Sequence, residues 1–554
     1  MLNTTFIFSR RYFLKSSIAM TGIVAMPFGY TGNQTLPSSS VSEAKYTRYN
    51  VMSEGGKKAL RSYAKGIEAM LNLSADHPQN WFRNAFIHLM DCPHGNWWFY
   101  VWHRGYLGYF EQTIRNLSGD DTFAMPYWDW TTLPQIPDSM FDDLLTPRSK
   151  SFEAYTSNFA IFTSKFKPAL IKYWSSLNTD QLTQLKIRGY TGFDDLWNDV
   201  TGYSTQLKKG IAGNMAYATT CSSRYLTRDN PSLDGKTMYD VSPSVILSGL
   251  LPKDFYNSSN QLSFTSGKTP SHNTQPSNTT KFSVLEGLPH NKVHNYIGGV
   301  GPLDPTPYGS MTNFLSPVDP IFFLHHSNID RLWDIWTRKQ KSLNLPYLPS
   351  NGDLQQLSED PFLFYVDGRG NYVGESNAGQ YLDMAKFEYE YEPGFGEEII
   401  SHSVSQTSDT NGSSIPLIRA SIKENVAELV IPTAAINSHL ANSQVPSLMI
   451  EVTVQRSNDS IFSREFDVIL GAPPNLNHVD ANSPYYAGTI AFFGSMSHMA
   501  RMPQEASFVV PLPKSPEAFN SLEATESTRI NIRVVPTNRE GSTPIVKGVT
   551  LFAY

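Results

Sequence analysis

The chain has 554 residues, with 44 Lys plus Arg against 50 Asp plus Glu, a formal charge of −6, 40% hydrophobic residues and 13% aromatic residues. That mild acidity argues against nucleic acid as a partner, and so much apolar and aromatic side chain argues against a disordered chain. Two cysteines, Cys92 and Cys221, exclude a disulfide scaffold and any multi-cysteine metal framework, which leaves 13 histidines as the nitrogen ligands to account for.

Residues 9–15 read Ser-Arg-Arg-Tyr-Phe-Leu-Lys and run into an apolar stretch from Ile18 to Met26. Paired arginines ahead of a short hydrophobic run resemble a bacterial twin-arginine export signal, and the run is too short to span a bilayer. Cleavage is expected between Ala25 and Ser40, giving a soluble periplasmic or secreted chain with no membrane partner. From Tyr46 to Trp336 the pattern is mostly helical, with three-to-four spacing in Gly56–Leu73 and Tyr106–Leu117. Asn257–Lys281 and Ser405–Ser414 are polar stretches that read as loops.

Beyond Pro393 the texture changes to short β-rich runs, at Leu429–Ile431, Leu448–Val454, Glu465–Ile469, Ser507–Val510 and Arg529–Val535. The expected division is a signal and linker over 1–40, a mainly α catalytic domain over 41–365, a linker over 366–394 and an all-β sandwich over 395–554. That is fewer units than the roughly three to four a 150-residue rule suggests.

Seven of the 13 histidines lie in two short windows ringed by Trp and Phe. The first holds His88, Cys92-Pro93-His94 and His103, with Trp97-Trp98-Phe99-Tyr100-Val101-Trp102 between. The second holds His290-Asn291-Lys292-Val293-His294, two imidazoles on one helical face, and Asp319-Pro320 leading to His325-His326. A zinc-protease reading fails, because Asn291 stands where the catalytic glutamate of H-E-x-x-H belongs. Buried imidazoles need partners, and a metal satisfies several at once. An all-nitrogen set suits copper, zinc, iron or nickel and disfavours magnesium and calcium.

His94–Glu111, Met125-Pro-Tyr-Trp-Asp-Trp130 and Asp319–Trp333 resemble the signatures of the tyrosinase and polyphenol oxidase family. The resemblance implies a four-helix bundle holding two copper ions, with His88, His94 and His103 on copper A and His290, His294 and His326 on copper B. It makes His325 a neighbour, and prefers His88 to its rival His77 because Trp81-x-x-x-Ala85-x-x-His88 resembles the plant-type lead-in. Cys92 resembles the cysteine that forms a thioether to the second copper-A histidine, its alternatives being a plain buried thiol or a disulfide to Cys221. Tyr100 departs from the family pattern and could aim its hydroxyl at the site, while Phe314 lies one residue off the spacing of the plant aromatic gate and is given no role.

The implied activity is binding of O2 between the coppers, ortho-hydroxylation of monophenols and oxidation of o-diphenols to o-quinones. Glu286 and Asn291 stand where the family holds a water that deprotonates a monophenol. The rival readings are a catechol-only oxidase, an o-aminophenol oxidase and a haemocyanin-like dioxygen carrier. Phe387-Glu-Tyr389-Glu-Tyr391 resembles the tyrosine motif closing the family's core, with Arg48 as its partner. Phe466-Asp-Val468 and Tyr485-Tyr-Ala-Gly488 resemble the plant C-terminal domain, which keeps the enzyme latent, although no shielding side chain is identifiable. Met496, His498, Met499 and Met502 form a soft cluster that reads first as ordinary β-loop packing, with copper loading as the alternative.

Overall fold

The computed structural model describes residues 44–201, 224–258, 262–302, 308–401, 417–441, 447–457, 464–494, 504–519 and 526–553. The export-signal segment, Cys221, Ser405–Ser414 and the Met496–Met502 cluster lie outside them. Among the described residues no helix is long and apolar enough to cross a membrane.

Six helices place the site. They are α1 (Glu54–Asn72), α2 (Trp81–Asp91), α3 (Phe99–Ser118), α4 (Thr179–Arg188), α5 (Asn291–Gly298) and α6 (Ile321–Ser342). Each has a local reason to start or stop. Ser53 caps α1 by accepting from Gly56 N, Asn80 caps α2 by accepting from Phe82 N, and Gly119, at φ 72°, ends α3 in the left-handed region. α2 is buried on every face, so no amphipathic stripe marks it. α5 is entered through a wide π turn over Glu286–His290 that contains Pro289. Proline cannot donate to the helical ladder, and the wider turn accommodates it.

Strands β1 (Tyr46–Arg48) and β3 (Tyr389–Tyr391) pair in parallel and bring the two ends of the helical region together. At their end sits a buried charge cluster. Arg48 Nε lies 2.8 Å from Glu111 Oε1, Arg48 Nη1 lies 2.9 Å from Asp330 Oδ2, and Arg104 Nε lies 2.8 Å from Asp330 Oδ1. Tyr389 and Tyr391 donate their hydroxyls to the same Asp330 carboxylate. Burial opposes ionisation of Asp330, yet Arg104 and Arg48 hold its carboxyl below the usual range. The expected partnership of Arg48 with the tyrosine motif is present, and it reaches α3 and α6 as well. Asp330→Asn would leave two buried guanidinium groups short of a counter-charge, so a loss of about 3–5 kcal/mol is expected in denaturant unfolding. A change under about 1 kcal/mol would show that the cluster does not hold the core closed.

The C-terminal region is two facing five-stranded sheets. One runs β2 (Lys281–Phe282), β10 (Glu505–Pro511), β7 (Leu448–Gln455), β12 (Ile545–Ala553), β4 (Ile418–Arg419). The other runs β5 (Ser421–Lys423), β6 (Val426–Pro432), β11 (Ser527–Pro536), β8 (Glu465–Leu470), β9 (Tyr486–Ala491). Alternating residues such as Ala427, Leu429 and Ile431 face a shared apolar core. Two features depart from an all-β unit beginning at residue 395. The helix Thr433–Ala441 follows β6, and β2 is lent by the helical region to pair in parallel with β10.

Candidate metal centre

The two trios lie on opposing elements. His88 comes from α2, His103 from α3 and His94 from the loop between them, with ring centroids 5.4–5.5 Å apart in all three pairs. His290 ends the π turn, His294 lies on α5 and His326 on α6, with centroids 4.6–5.3 Å apart. The trios face each other, His103 stacking on His326 at 4.2 Å. His77 stays outside, half-buried, its Nδ1 accepting from Gln79 N.

Hydrogen bonding settles which nitrogens are free. His88 Nδ1 meets the Phe314 carbonyl oxygen at 2.7 Å, His103 Nδ1 that of Phe99 at 2.7 Å, and His294 Nδ1 that of Met311 at 2.8 Å. A carbonyl oxygen only accepts, so each Nδ1 carries the proton and each Nε2 presents a lone pair. Yet His88 Nε2 and His103 Nε2 lie 3.3 Å apart with no proton to share. His294 Nε2 and His326 Nε2 are 3.1 Å apart, and His94 Nε2 and His290 Nε2 have no partner among the described residues. Lone pairs gathered this closely are unfavourable unless a cation lies among them. Burial, reinforced by the neighbouring rings, pushes His88, His94, His294 and His326 well below the usual imidazole range. Burial likewise takes His103 and His290 down to about 3. All six are therefore neutral at physiological pH and ready to ligate. Six neutral imidazoles without a carboxylate or thiolate fit copper.

His325 belongs to the B cluster. Its ligand atom lies within 4.8 Å of those of His290, His294 and His326, and among the described residues neither of its nitrogens has a partner. Its ring packs 4.9 Å from Trp130. The buried Cys92 Sγ is 3.5 Å from Nδ1 of the half-buried His94. Tyr100 stacks on Phe264 at 4.8 Å and lies 5.8 Å from Trp333. Phe99 takes the inner position instead, 4.8 Å from both His103 and His290.

Glu286 is fully buried, with Oε1 accepting from Gly95 N at 2.6 Å and Oε2 from Ser266 Oγ. Burial pushes its carboxyl up to about 8. Asn291 Oδ1 meets His290 Nδ1 at 2.9 Å, and its Nδ2 donates to the Ala491 carbonyl oxygen of β9 at 2.8 Å.

Two aromatic residues complete the site without having been assigned to it from sequence. Phe314 stacks on His94 at 5.0 Å, although its one-residue offset gave it no role. Phe493, just after β9, lies 4.5 Å from His294, 4.9 Å from His94 and 5.4 Å from Phe314 and is 3% exposed. What remains beside these rings is a cavity of ≈20 Å³, lined by Cys92, His94, Arg188, Phe314 and Phe493 among others. That is room for one water and not for a phenol.

A polar clasp holds Phe493 there. Lys292 pairs with Glu465, Asn295 Nδ2 donates to the Phe492 carbonyl oxygen at 3.1 Å, and Arg464 Nη1 donates to the Thr312 carbonyl oxygen at 2.8 Å. Every one of these bonds joins α5 or the segment after it to β8, to the residue before β8 or to the segment after β9.

Residues 69–339 match the family model described as the common central domain of tyrosinase. Polyphenol oxidase II, chloroplastic, of Ipomoea batatas is 26% identical over 358 residues, covering 61% of this chain and 48% of that protein. The chain thus spans about half the length of that curated relative. Hemocyanin A-type, units Ode to Odg, of Enteroctopus dofleini is 34% identical over 113 residues, 20% of this chain and 9% of that protein. A solved latent aurone synthase (polyphenol oxidase) superposes with a TM-score of 0.53 at 17% identity, covering 93% of this chain and 90% of that one, a likeness of fold from the helical region through the β region. Over residues 69–339, just under half of its length, the chain is similar to the tyrosinase and polyphenol oxidase family, and the cofactor its histidine clusters fit is a pair of copper ions.

Proposed function

We propose that the chain is a phenol oxidase that hydroxylates monophenols and oxidises o-diphenols to o-quinones, kept latent by its β region. The observation that carries this is the facing pair of neutral imidazole trios beneath two removable aromatic rings. We assign copper A to His88, His94 and His103 and copper B to His290, His294 and His326. When bound, the copper pair supplies dioxygen activation and accepts electrons from the phenol. The overall reactions balance as phenol plus O2 to o-quinone plus water, and two catechols plus O2 to two o-quinones plus two waters.

The chain's own residues orient and deprotonate. Carbonyl oxygens of Phe99, Phe314 and Met311 fix three imidazoles by their Nδ1 protons. The faces of His94 and Phe314 form a wall against which a phenol ring can lie once Phe493 leaves. A phenol has a pKa near ~10, so hydroxylation needs help with its proton. Each Glu286 oxygen is held by one donor and keeps a lone pair for a water. Asn291 retains one N–H for the same water beside its bond to Ala491. Asn291→Ala is expected to abolish sustained hydroxylation of tyrosol while catechol oxidation persists and copper stays at two per chain. Parallel loss of both activities would remove the water-holding role.

We assign Cys92 a thioether to His94, supported by their 3.5 Å approach. The C–S bond replaces the Cys92 S–H and one His94 ring C–H, two protons and two electrons passing to dioxygen, so in the copper-loaded, aerated protein the peptide bearing both residues should weigh less by two hydrogens and resist thiol alkylation. A freely alkylated Cys92 would return it to a plain buried thiol. Protease or detergent treatment of the full chain is expected to increase activity, by displacing Phe493 with the β region.

A further inference from the structure

Arg188 ends α4 beside the loop that carries Cys92 and His94, and it is 5% exposed. Its Nη1 donates to the Cys92 carbonyl oxygen at 2.5 Å and meets Asn273 Oδ1 at 3.5 Å. Its Nη2 donates to the Leu89 carbonyl oxygen at 3.0 Å and lies 3.4 Å from Cys92 Sγ. These bonds close the open carbonyls at the end of α2, a structural use in its own right. They leave two things unexplained. Among the described residues the Nε donor is buried without a partner and no carboxylate ion-pairs with the guanidinium. Asp91 is near, but its Oδ1 is taken by His272 and Asn273 and its Oδ2 by Trp102. A buried cation with an open donor is costly unless an acid completes it.

Arg188 borders the phenol site. Arg188 lines the same cavity as His94, Phe314 and Phe493. Its guanidinium carbon is 5.3 Å from the Phe314 ring centre, which is 5.4 Å from that of Phe493, so it lies within about 11 Å of the space Phe493 fills. A carboxylate on a two- or three-carbon tether reaches roughly 6 Å from its ring centre. A hydrogen bond spans about 3 Å more and a guanidinium nitrogen stands about 1.3 Å from its carbon, so the reach is about 10 Å against a separation of at most about 11 Å. A phenol standing where Phe493 stands can therefore place a side-chain carboxylate against Arg188.

We propose that Arg188 recognises a carboxylate, so that the preferred substrates are phenols bearing a free acid on a short side chain. The inference rests on the phenol-oxidase reading for its substrate and on Arg188 alone for its selectivity. Neutral phenols would leave the Nε donor open, whereas an acid gains a charge-assisted bond there.

The test uses the full chain carrying Phe493→Gly, which empties the ring's place. Calorimetric titration with 3-phenylpropanoate and with its neutral amide, neither of them oxidisable, is expected to show the acid bound ~10-fold tighter or more. Adding Arg188→Met should erase that preference, and Arg188→Lys should restore part of it. Equal binding of acid and amide to the Phe493→Gly chain overturns the proposal even if Arg188→Met fails to fold. In turnover, Arg188→Met should raise KM for 3-(3,4-dihydroxyphenyl)propanoate ~10-fold relative to KM for 4-methylcatechol. A chain that binds the acid selectively yet oxidises neither catechol keeps the carboxylate site and loses the oxidase reading. One that oxidises both with equal KM does the reverse.

Discussion

Phe493→Gly in the intact, copper-loaded chain is expected to raise catechol oxidation by ~10- to 100-fold with no protease added. The magnitude follows from burial. A phenylalanine ring taken fully out of water contributes about 1.5–3 kcal/mol, and every 1.4 kcal/mol is a factor of ten in the closed population. The ring of Phe493 is 3% exposed and contacts both copper-A and copper-B imidazoles, so it is the group a phenol must displace. The variant leaves the Lys292–Glu465 pair and the Asn295 bond in place, so it separates plugging from docking. Loss of packing should cost stability, about 3–5 kcal/mol if the site does not collapse. Unchanged catechol oxidation would mean that the β region does not shield the site through this residue.

His326→Ala is expected to lower bound copper from two towards one per chain and to take catechol oxidation below ~1% of wild type. Removing a group that merely supports a ligand typically costs 10–100-fold in metal affinity, and a ligand itself should cost more than ~100-fold. His325→Ala is the informative companion, because His325 sits in the same cluster with two unpartnered nitrogens. Two coppers are expected to remain in that variant. If His325→Ala loses copper and His326→Ala keeps it, the B trio is assigned to the wrong neighbour.

Local chemistry made the trios legible. His290 and His294 share a helical face, and the Trp- and Phe-rich flanks advertise a buried site. Phe493 was hidden because its position depends on how β9 docks against α5, a contact spanning about 200 residues of chain. No local pattern distinguishes Phe493 from Phe492, which faces Phe466 and Phe508 in the β region. Arg188 was hidden in the same way, since nothing in α4 itself points to the loop of Cys92. Phe314 shows the opposite failure, in which motif spacing was read too strictly.

In the β region the expected runs fall within β6, β7, β8, β10 and β11, where alternation is clear. β9 and β12 were missed because Gly488, at φ 144°, and the bulge at Val546/Gly548 interrupt the period of two. The short helix Thr433–Ala441 carries an Ala-rich sequence, a signal that helix propensity could have caught. The two-residue strand β2 could not be found locally, because its pairing with β10 is its only strand character.

Dioxygen uptake by the copper-loaded full chain, after limited proteolysis and on addition of catechol, tests the central claim most directly. Two trios of imidazoles that hold copper for phenol oxidation should give continuous uptake with o-quinone formed in step, two quinones for each O2. A single stoichiometric uptake, released on deoxygenation and without quinone, would instead make the centre a dioxygen carrier and contradict the account.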